Sequence, residues 1–213
     1  MVGSSLYAGI VEGDEEYVGR PGLSPALAAL VAADVLRPTH RVLDVGCGRG
    51  NDLLALAALG FRHLTGLDHN RRSIASARRR KGAQAIDLQL APLTALLDEP
   101  AASYDVVLDT FLVNNLEETE DERYLAWLAR LLPRGGRLVL HCKCRPSDPE
   151  ARGEGGFASP YLSFGKPALA WFVEYRDVKK DGKWRVRKTG VTGFVQVGTR
   201  NGRAVPDRLL RST

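Results

Sequence analysis

The first feature of the chain that could carry chemistry is a glycine-rich turn after a short apolar run. In RVLDVGCGRG an acid precedes three glycines at alternate positions: Asp44, Gly46, Gly48 and Gly50. Glycine lets the backbone bend sharply there and lie against a ligand. A turn that binds the pyrophosphate of a dinucleotide has its third glycine one residue later, where this chain has Asn51. The acid instead suits a ligand that carries a cationic amino group and a sulfonium.

A second acid supports this interpretation. Asp68 ends the apolar run HLTGLD, 24 residues after Asp44. If that run is the second strand of a parallel sheet, a carboxylate at its end can accept both hydroxyls of a ribose. The competing interpretation is that Asp68 shares the capping of the next helix with Asn70.

The elements that must position these residues alternate between strand and helix patterns. The predicted strands of this part are residues 41–45, 63–68, 85–90, 104–109 and 137–142. Predicted helices follow the capping residues Ser24 and Asn70, and others cover residues 51–59, 93–97 and 119–132. This alternation predicts parallel strands covered by helices on both faces.

The last third of the chain has a different pattern. Apolar residues between Ala168 and Val178 fit a helical stripe, Asp181-Gly182 breaks the chain, and KWRVRKT and GFVQVGT read as two strands joined by a tight turn. The prediction is one α/β domain over residues 1–213. Its sheet is doubly wound, mostly parallel and seven-stranded, with an antiparallel C-terminal hairpin at the edge and helices on both faces.

A set of ordered motifs resembles a known family. DVGCGRG, GLD at 66–68, YDVVLD at 104–109 and LLPRGGRLVL at 131–140 look like the motifs of class I S-adenosylmethionine-dependent methyltransferases, over residues 24–142. The resemblance implies S-adenosyl-L-methionine as cofactor and S-adenosyl-L-homocysteine as product. The cofactor residues that it implies are Asp44, Gly46, Cys47, Gly48 and Gly50 for the methionine end, Asp68 for the ribose, His69, Leu90 and Ala91 around the adenine, and Asp109 near the transferred methyl group.

The chemistry that the resemblance implies requires little from the protein. Methyl transfer is an in-line displacement, and a general base is needed only if the nucleophile arrives protonated. The predicted candidates are Asp109 and His141, at the carboxyl ends of strands four and five; the alternative for His141 is a hydrogen-bonded structural histidine. Arg20, ahead of the first helix, is predicted to bind the cofactor carboxylate, the alternative being a surface arginine.

One position departs from the family pattern. Family members often carry an acid after strand three that binds the adenine amine, and here that place reads Leu90-Ala91-Pro92. Adenine recognition is therefore expected to use backbone groups or Asp87, two alternatives that the sequence leaves open.

The composition of the chain and the motif in strand four bear on the kind of methyl acceptor and on the cellular location of the protein. The 213 residues are 44% hydrophobic and 26% charged, and no leader pattern opens the chain, so a cytoplasmic protein with no membrane partner and no metal is expected. Strand four lacks the Pro-Pro-aromatic motif of amino-methylating nucleic-acid enzymes, which favours a small-molecule acceptor over nucleic acid. The alternatives are an RNA or protein methyltransferase that uses the basic C-terminal third, and a catalytically silent cofactor-binding protein.

Two segments are predicted to cover the site. Residues 1–23 are expected to close over the methionine end, and residues 143–166 form an aperiodic stretch at the carboxyl edge of the sheet. Loops of that length are uncommon in compact domains unless they bind or close over ligands. Its aromatic residues Phe157, Tyr161 and Phe164 are predicted to cover the acceptor.

Overall fold

A computed structural model gives the fold and describes residues 15–18, 22–92, 104–113, 121–143, 157–165 and 168–206. The strands in this part of the chain are β1 (Glu15–Val18), β2 (Arg41–Val45), β3 (His63–Asp68), β4 (Ile86–Leu90), β5 (Val106–Thr110), β6 (Arg137–Lys143), β7 (Leu162–Phe164), β8 (Ala168–Lys180) and β9 (Lys183–Arg200). The helices are α1 (Pro25–Ala32), α2 (Asn51–Ala58), α3 (Arg71–Arg78) and α4 (Asp121–Arg130), with a 3₁₀ turn at Ala83–Ala85.

The strands form one sheet in the order β1-β8-β9-β6-β5-β2-β3-β4, and β7 also pairs with β9. Strands β2 to β6 pair in parallel, whereas β9 runs antiparallel to β6, β7 and β8. The predicted fold class is confirmed: β2 to β6 with β8 and β9 make up the doubly wound sheet and its antiparallel edge. The chain order reverses between β2 and β5, and ligands bind at the carboxyl ends of strands at such a point.

Helices cover both faces of the sheet. Leucines of α1 and α2 and Ile74 of α3 belong to the core on one face, and α4 packs its Leu125 and Leu128 into the core on the other. The predicted helix starts are confirmed. The hydroxyl of Ser24 accepts the N–H of Leu27 at 3.4 Å, and the Asn70 side chain accepts two N–H groups of the first turn of α3.

The predicted helix between residues 168 and 178 is wrong. These residues form the 13-residue strand β8, whose register with β9 runs from Ala168 opposite Val195 to Lys180 opposite Lys183. The two strands predicted for the end of the chain are one continuous 18-residue strand. The C-terminal hairpin therefore turns at Asp181-Gly182, and it is longer than predicted.

The described part of the long aperiodic segment packs against this edge of the sheet. Tyr161 is buried, and the ring of Phe164 lies against Gly198, where an added Cβ would come within 2.6 Å of it. Both contacts lie near the amino end of β6, because Arg137 pairs with Thr199. These two residues therefore pack away from the carboxyl edge of the sheet, and their role in covering an acceptor stays a prediction.

The described helices have four turns or fewer. None of them is long and apolar enough to cross a membrane.

Candidate functional site

Four backbone N–H groups of the glycine turn are bonded within the protein. The N–H groups of Gly46 and Cys47 both donate to the carbonyl of Leu67, at 2.8 and 2.9 Å. Gly48 donates to the Asp68 carboxylate at 2.8 Å, and Gly50 donates to the carbonyl of Cys47. A pyrophosphate site requires N–H groups that point at the ligand. These four are already bonded, so the turn is a poor site for phosphate.

The turn leaves open space where the ligand is expected. Gly46, Gly48 and Gly50 all have φ between +54° and +74°, the left-handed region that favours glycine. A Cβ added at Gly48 would meet nothing within 4 Å, whereas one at Gly46 would lie 3.2 Å from the Leu112 side chain. The open side of the turn is therefore at Gly48, and Leu112 forms part of its wall.

Four carboxylates are gathered around this turn. Asp44, Asp52, Asp68 and Asp109 are all buried. Burial raises the pKa of Asp44 well above its ordinary value, and the charges of the other three raise it further. No hydrogen bond reaches the Asp44 carboxylate from the residues that the structure describes. Acids so placed repel a pyrophosphate and attract a cation, which fits the ammonium and sulfonium groups of S-adenosylmethionine.

Asp68 occupies the position predicted for ribose binding. Its two carboxylate oxygens accept the N–H groups of Gly48 at 2.8 Å and Asn70 at 2.6 Å. A carboxylate has about four lone-pair sites, so both oxygens retain capacity for ligand hydroxyls. The bond to Asn70 also shows that the two interpretations of this residue, ribose binding and support of the helix start, are compatible.

The residues predicted around the adenine lie beside Asp68. Leu90 pairs with Asp68 in the sheet and is 37% exposed, and the Ala91 N–H donates to the Asp68 carbonyl. His69 is exposed, with its Nδ1 3.9 Å from the Asp68 carboxylate. Asp87 pairs with Thr65 near the amino ends of the strands and bonds Gln89. Asp87 thus lies further from the carboxyl end of β4 than Leu90, which favours backbone groups over Asp87 for adenine recognition.

Asp109 is held by the loop that follows its strand. Its buried carboxylate accepts the N–H groups of Leu112 and Val113 and the hydroxyl of Tyr124, the last at 2.7 Å. Burial raises its pKa to about 6 against an ordinary 3.8, although the bonds from Tyr124 and the loop oppose the shift. These contacts hold Leu112 against Gly46. They favour a positioning role over the predicted role as general base, which stays a prediction.

His141 pairs with Thr110 at the carboxyl end of β6 and is 2% exposed. Burial lowers the pKa of its imidazole to about 3, so the ring is neutral at physiological pH and a weak base. It lies 4.7 Å from the ring of Phe111, a residue with φ +68° whose N–H donates to the His141 carbonyl. The geometry favours the structural alternative for His141, and its catalytic role stays a prediction.

Cys47 contributes to the site through its backbone. Its thiol is buried in the core beside Gly66, and burial raises its pKa. Arg20 lies outside the described residues.

Two supporting contacts were not predicted from the sequence. The Arg80 guanidinium donates to the Arg49 carbonyl at 2.9 Å and to the Asn51 side chain, which ties the end of α3 to the glycine turn. The N–H of Ser24 donates to the Asp52 carboxylate at 2.7 Å, which joins the starts of α1 and α2. Of the residues in these two contacts, only Asp52 could be singled out from the sequence, because an acid in the first turn of a helix is favourable there. Arg80 stands in a run of bases that reads as a solvated face.

We expect Arg80→Ala to weaken binding of S-adenosylhomocysteine about fivefold, because the turn loses a charge-assisted bond worth about 1 kcal/mol. Isothermal calorimetry measures the affinity. Arg79→Ala is the matched control, since Arg79 is exposed and makes neither of these bonds. Equal affinities in the two variants would show that the turn keeps its shape without Arg80.

A switch-point sheet, a turn whose N–H groups face inward and a set of buried acids define a Rossmann-like domain for a cationic nucleoside ligand. Comparison with known proteins agrees: residues 42–136 match the family model described as a methyltransferase domain. These residues form a class I, Rossmann-like S-adenosylmethionine-dependent methyltransferase domain, and S-adenosylmethionine is the cofactor of that class. The predicted family and its cofactor are confirmed for these residues.

Similar proteins carry related names. Ribosomal protein L11 methyltransferase of Xanthomonas oryzae pv. oryzae is 33% identical over 161 residues, which are 76% of this chain and 44% of that protein. The probable S-adenosyl-L-methionine-dependent methyltransferase TehB of Haemophilus influenzae is 37% identical over 83 residues, 37% of this chain and 27% of that protein. The chain thus spans less than half the length of these relatives.

A solved structure supports the fold. A protein crystallised in work on the conversion of a disulfide into a thioacetal during echinomycin biosynthesis superposes with a TM-score of 0.65 at 19% identity, over 86% of this chain and 84% of that one.

Proposed function

We propose that the chain transfers a methyl group from S-adenosylmethionine to a nucleophilic oxygen, nitrogen or sulfur atom of a small molecule. The observation that carries the proposal is the glycine turn with its bonded N–H groups and surrounding acids, which suits a cationic ligand and not a pyrophosphate. When bound, S-adenosylmethionine supplies a methyl carbon that its positive sulfur has activated. The nucleophile forms a bond to that carbon, the carbon–sulfur bond breaks, and its electron pair stays on sulfur.

The chain's own residues would bind the cofactor and orient it toward the methyl acceptor. Asp68 accepts the ribose hydroxyls, and Asp44 faces the cationic methionine end together with carbonyl groups of the turn. Asp109 keeps Leu112 against Gly46 and so maintains the wall of the pocket. Placing the nucleophile ~3 to 3.5 Å from the methyl carbon in a dry pocket provides much of the rate. A proton that the acceptor carries leaves to water or to a base.

The predicted covering segments remain part of the proposal. The bond between Ser24 and Asp52 holds the chain next to the start of α2, four residues after Arg20. This supports a role for Arg20 at the cofactor carboxylate. Residues 1–23 and 143–166 are proposed to close over the site, within a single domain over residues 1–213.

The test is transfer of a labelled methyl group. The chain is incubated with S-adenosylmethionine labelled in the methyl carbon and with panels of small thiols, amines and phenols, total RNA and total protein. We expect a labelled small product and stoichiometric S-adenosylhomocysteine, both strongly reduced in Asp68→Ala at a cofactor concentration that does not saturate the variant. Cofactor binding by calorimetry without turnover on any panel would contradict the proposal and favour a silent binding protein.

A macromolecular acceptor is the second candidate. It is favoured by the basic hairpin described below, and protein acceptors also appear in the name of the L11 methyltransferase relative. Label found in the RNA or protein fraction, with none in the small-molecule fraction, would decide for it.

A further inference from the structure

The β8–β9 hairpin extends beyond the rest of the sheet. Strand β6 pairs with β9 only between Gly193 and Thr199, and β1 reaches β8 no further than Glu174. Among the described residues, positions 175–180 and 183–188 therefore pair only with each other. We call residues 175–188 the arm. Six residue pairs make a two-stranded ribbon roughly 20 Å long.

The arm carries the excess positive charge of the chain. Residues 175–188 contain seven Lys and Arg and two Asp, a net charge of +5, which equals the net charge of all 213 residues. The other 199 residues are therefore neutral overall. The charge is concentrated in one projecting element and is not spread over the surface.

The register places most of these bases on one face. Arg176 is opposite Arg187, Lys180 is opposite Lys183, and Arg185 lies between them opposite Val178. Because successive positions of a strand belong alternately to its two faces, the register puts these five basic positions on one face of the ribbon. Like charges directly opposite each other destabilise a strand pair, and an isolated two-stranded hairpin is marginally stable. A partner with regularly spaced negative charges would remove this repulsion.

The arm projects at the same end of the sheet as the cofactor site. Strand β6 ends at Lys143, which pairs with Gly193, and β9 continues from there through residues 192–183 past that end. Strands β2, β5 and β6 are parallel, so the glycine turn, Asp109 and the base of the arm lie along one edge. A molecule bound along the arm lies beside the pocket.

We propose that single-stranded RNA docks along the basic face of the arm. A row of cations suits the repeating phosphates of a polynucleotide backbone. Tyr175 and Trp184, of the residue types that stack unpaired bases, lie in the same ribbon, on the other face together with Lys179 and Lys188. The arm of a second copy presents the same charge and is repelled. Among polynucleotides, RNA is the one that is single-stranded over long stretches in cells. The proposal goes beyond methyl transfer and does not require it.

The test is fluorescence anisotropy with a labelled 20-nucleotide single-stranded RNA of mixed sequence and the full chain, without cofactor. Five phosphate contacts give a slope of log affinity against log salt of about −3.5, so binding should weaken about a hundredfold between 50 and 200 mM salt. The triple variant Arg176→Gln/Arg185→Gln/Arg187→Gln should bind at least ~10-fold more weakly, with a slope of about −1.4. Removing repulsion should not unfold the arm.

The matched control is Arg62→Gln/Arg79→Gln/Lys81→Gln, which removes the same charge from exposed positions outside the arm and should bind within about twofold of the original chain. Both triple variants should keep their affinity for S-adenosylhomocysteine. An equal loss in the control, or no binding of RNA at 50 mM salt, would overturn the proposal. Tighter binding of single-stranded DNA or polyglutamate than of RNA would also overturn it.

These outcomes are separate from those of the methyl-transfer test. Binding of RNA without turnover on any acceptor would support the arm and contradict the proposed activity. Turnover on a small molecule without RNA binding would support the proposed activity and contradict the docking of RNA on the arm.

Discussion

Replacing Asp68 by alanine is expected to weaken binding of S-adenosylmethionine by about 2 to 3 kcal/mol, roughly a factor of 30 to 150. The variant loses the carboxylate that we propose accepts both ribose hydroxyls. It also loses the bond to the Gly48 N–H at 2.8 Å, which fixes the open side of the turn. Calorimetry with the cofactor and with S-adenosylhomocysteine measures the loss.

The control is Asp87→Ala, which removes an acid from an exposed position near the start of β4 and should leave the affinity unchanged. The variant Asp68→Asn separates two contributions, since the amide keeps one acceptor oxygen and introduces a donor against the backbone N–H groups. We expect the cofactor affinity of Asp68→Asn to be close to that of Asp68→Ala. Affinity in Asp68→Ala equal to that of the original chain would remove the ribose assignment.

Asp109 is expected to make folding stability depend on pH. Because burial raises its folded-state pKa to about 6 from 3.8, the folded protein binds more protons than the unfolded chain between these values. Its contribution to stability is therefore full below pH ~4 and is lost as the pH rises through 6. The loss is at most about 3 kcal/mol, at 1.36 kcal/mol for each pH unit.

Urea unfolding of the original chain and of Asp109→Asn, from pH 4 to pH 7, isolates this group. The free energy of unfolding of the original chain minus that of Asp109→Asn should fall by up to about 3 kcal/mol as the pH rises, because only the original chain loses the contribution of the Asp109 proton. Tyr124→Phe removes a hydrogen bond that lowers the pKa, so the same change should occur at higher pH. A difference that stays constant with pH would show that Asp109 is ionised throughout.

The part of the fold that could be predicted from the sequence is the part with local signals. Ser24 and Asn70 cap helices with their own side chains, and the glycine turn needs left-handed backbone that few other residues adopt. The order of strand and helix patterns then fixes the parallel core and the edge where the ligand lies. Asp44 and Asp68 could be predicted as ligand-binding residues because they lie at or near the ends of two predicted strands at that edge.

The features that could not be predicted depend on contacts between residues that are distant in the sequence. Residues 168–178 carry an apolar spacing that fits helix and strand alike, and pairing with β9 over 13 residues decides for strand. Gly190 and Gly193 read as a turn, but they lie within β9, opposite Val173 and Ala170. The grouping of bases on one face of the arm appears only with this register. The contact of Arg80 with the turn joins residues 31 apart and has no local signal.

The inward orientation of the turn's peptide groups bears on how such a site can change in evolution. In the proposed site, selectivity against phosphates rests on the direction of several peptide planes, which bonds to Leu67 and Asp68 of the neighbouring strand hold. One substitution cannot rotate them in concert. A glycine restored at position 51 would thus complete a dinucleotide signature on paper without producing a dinucleotide enzyme.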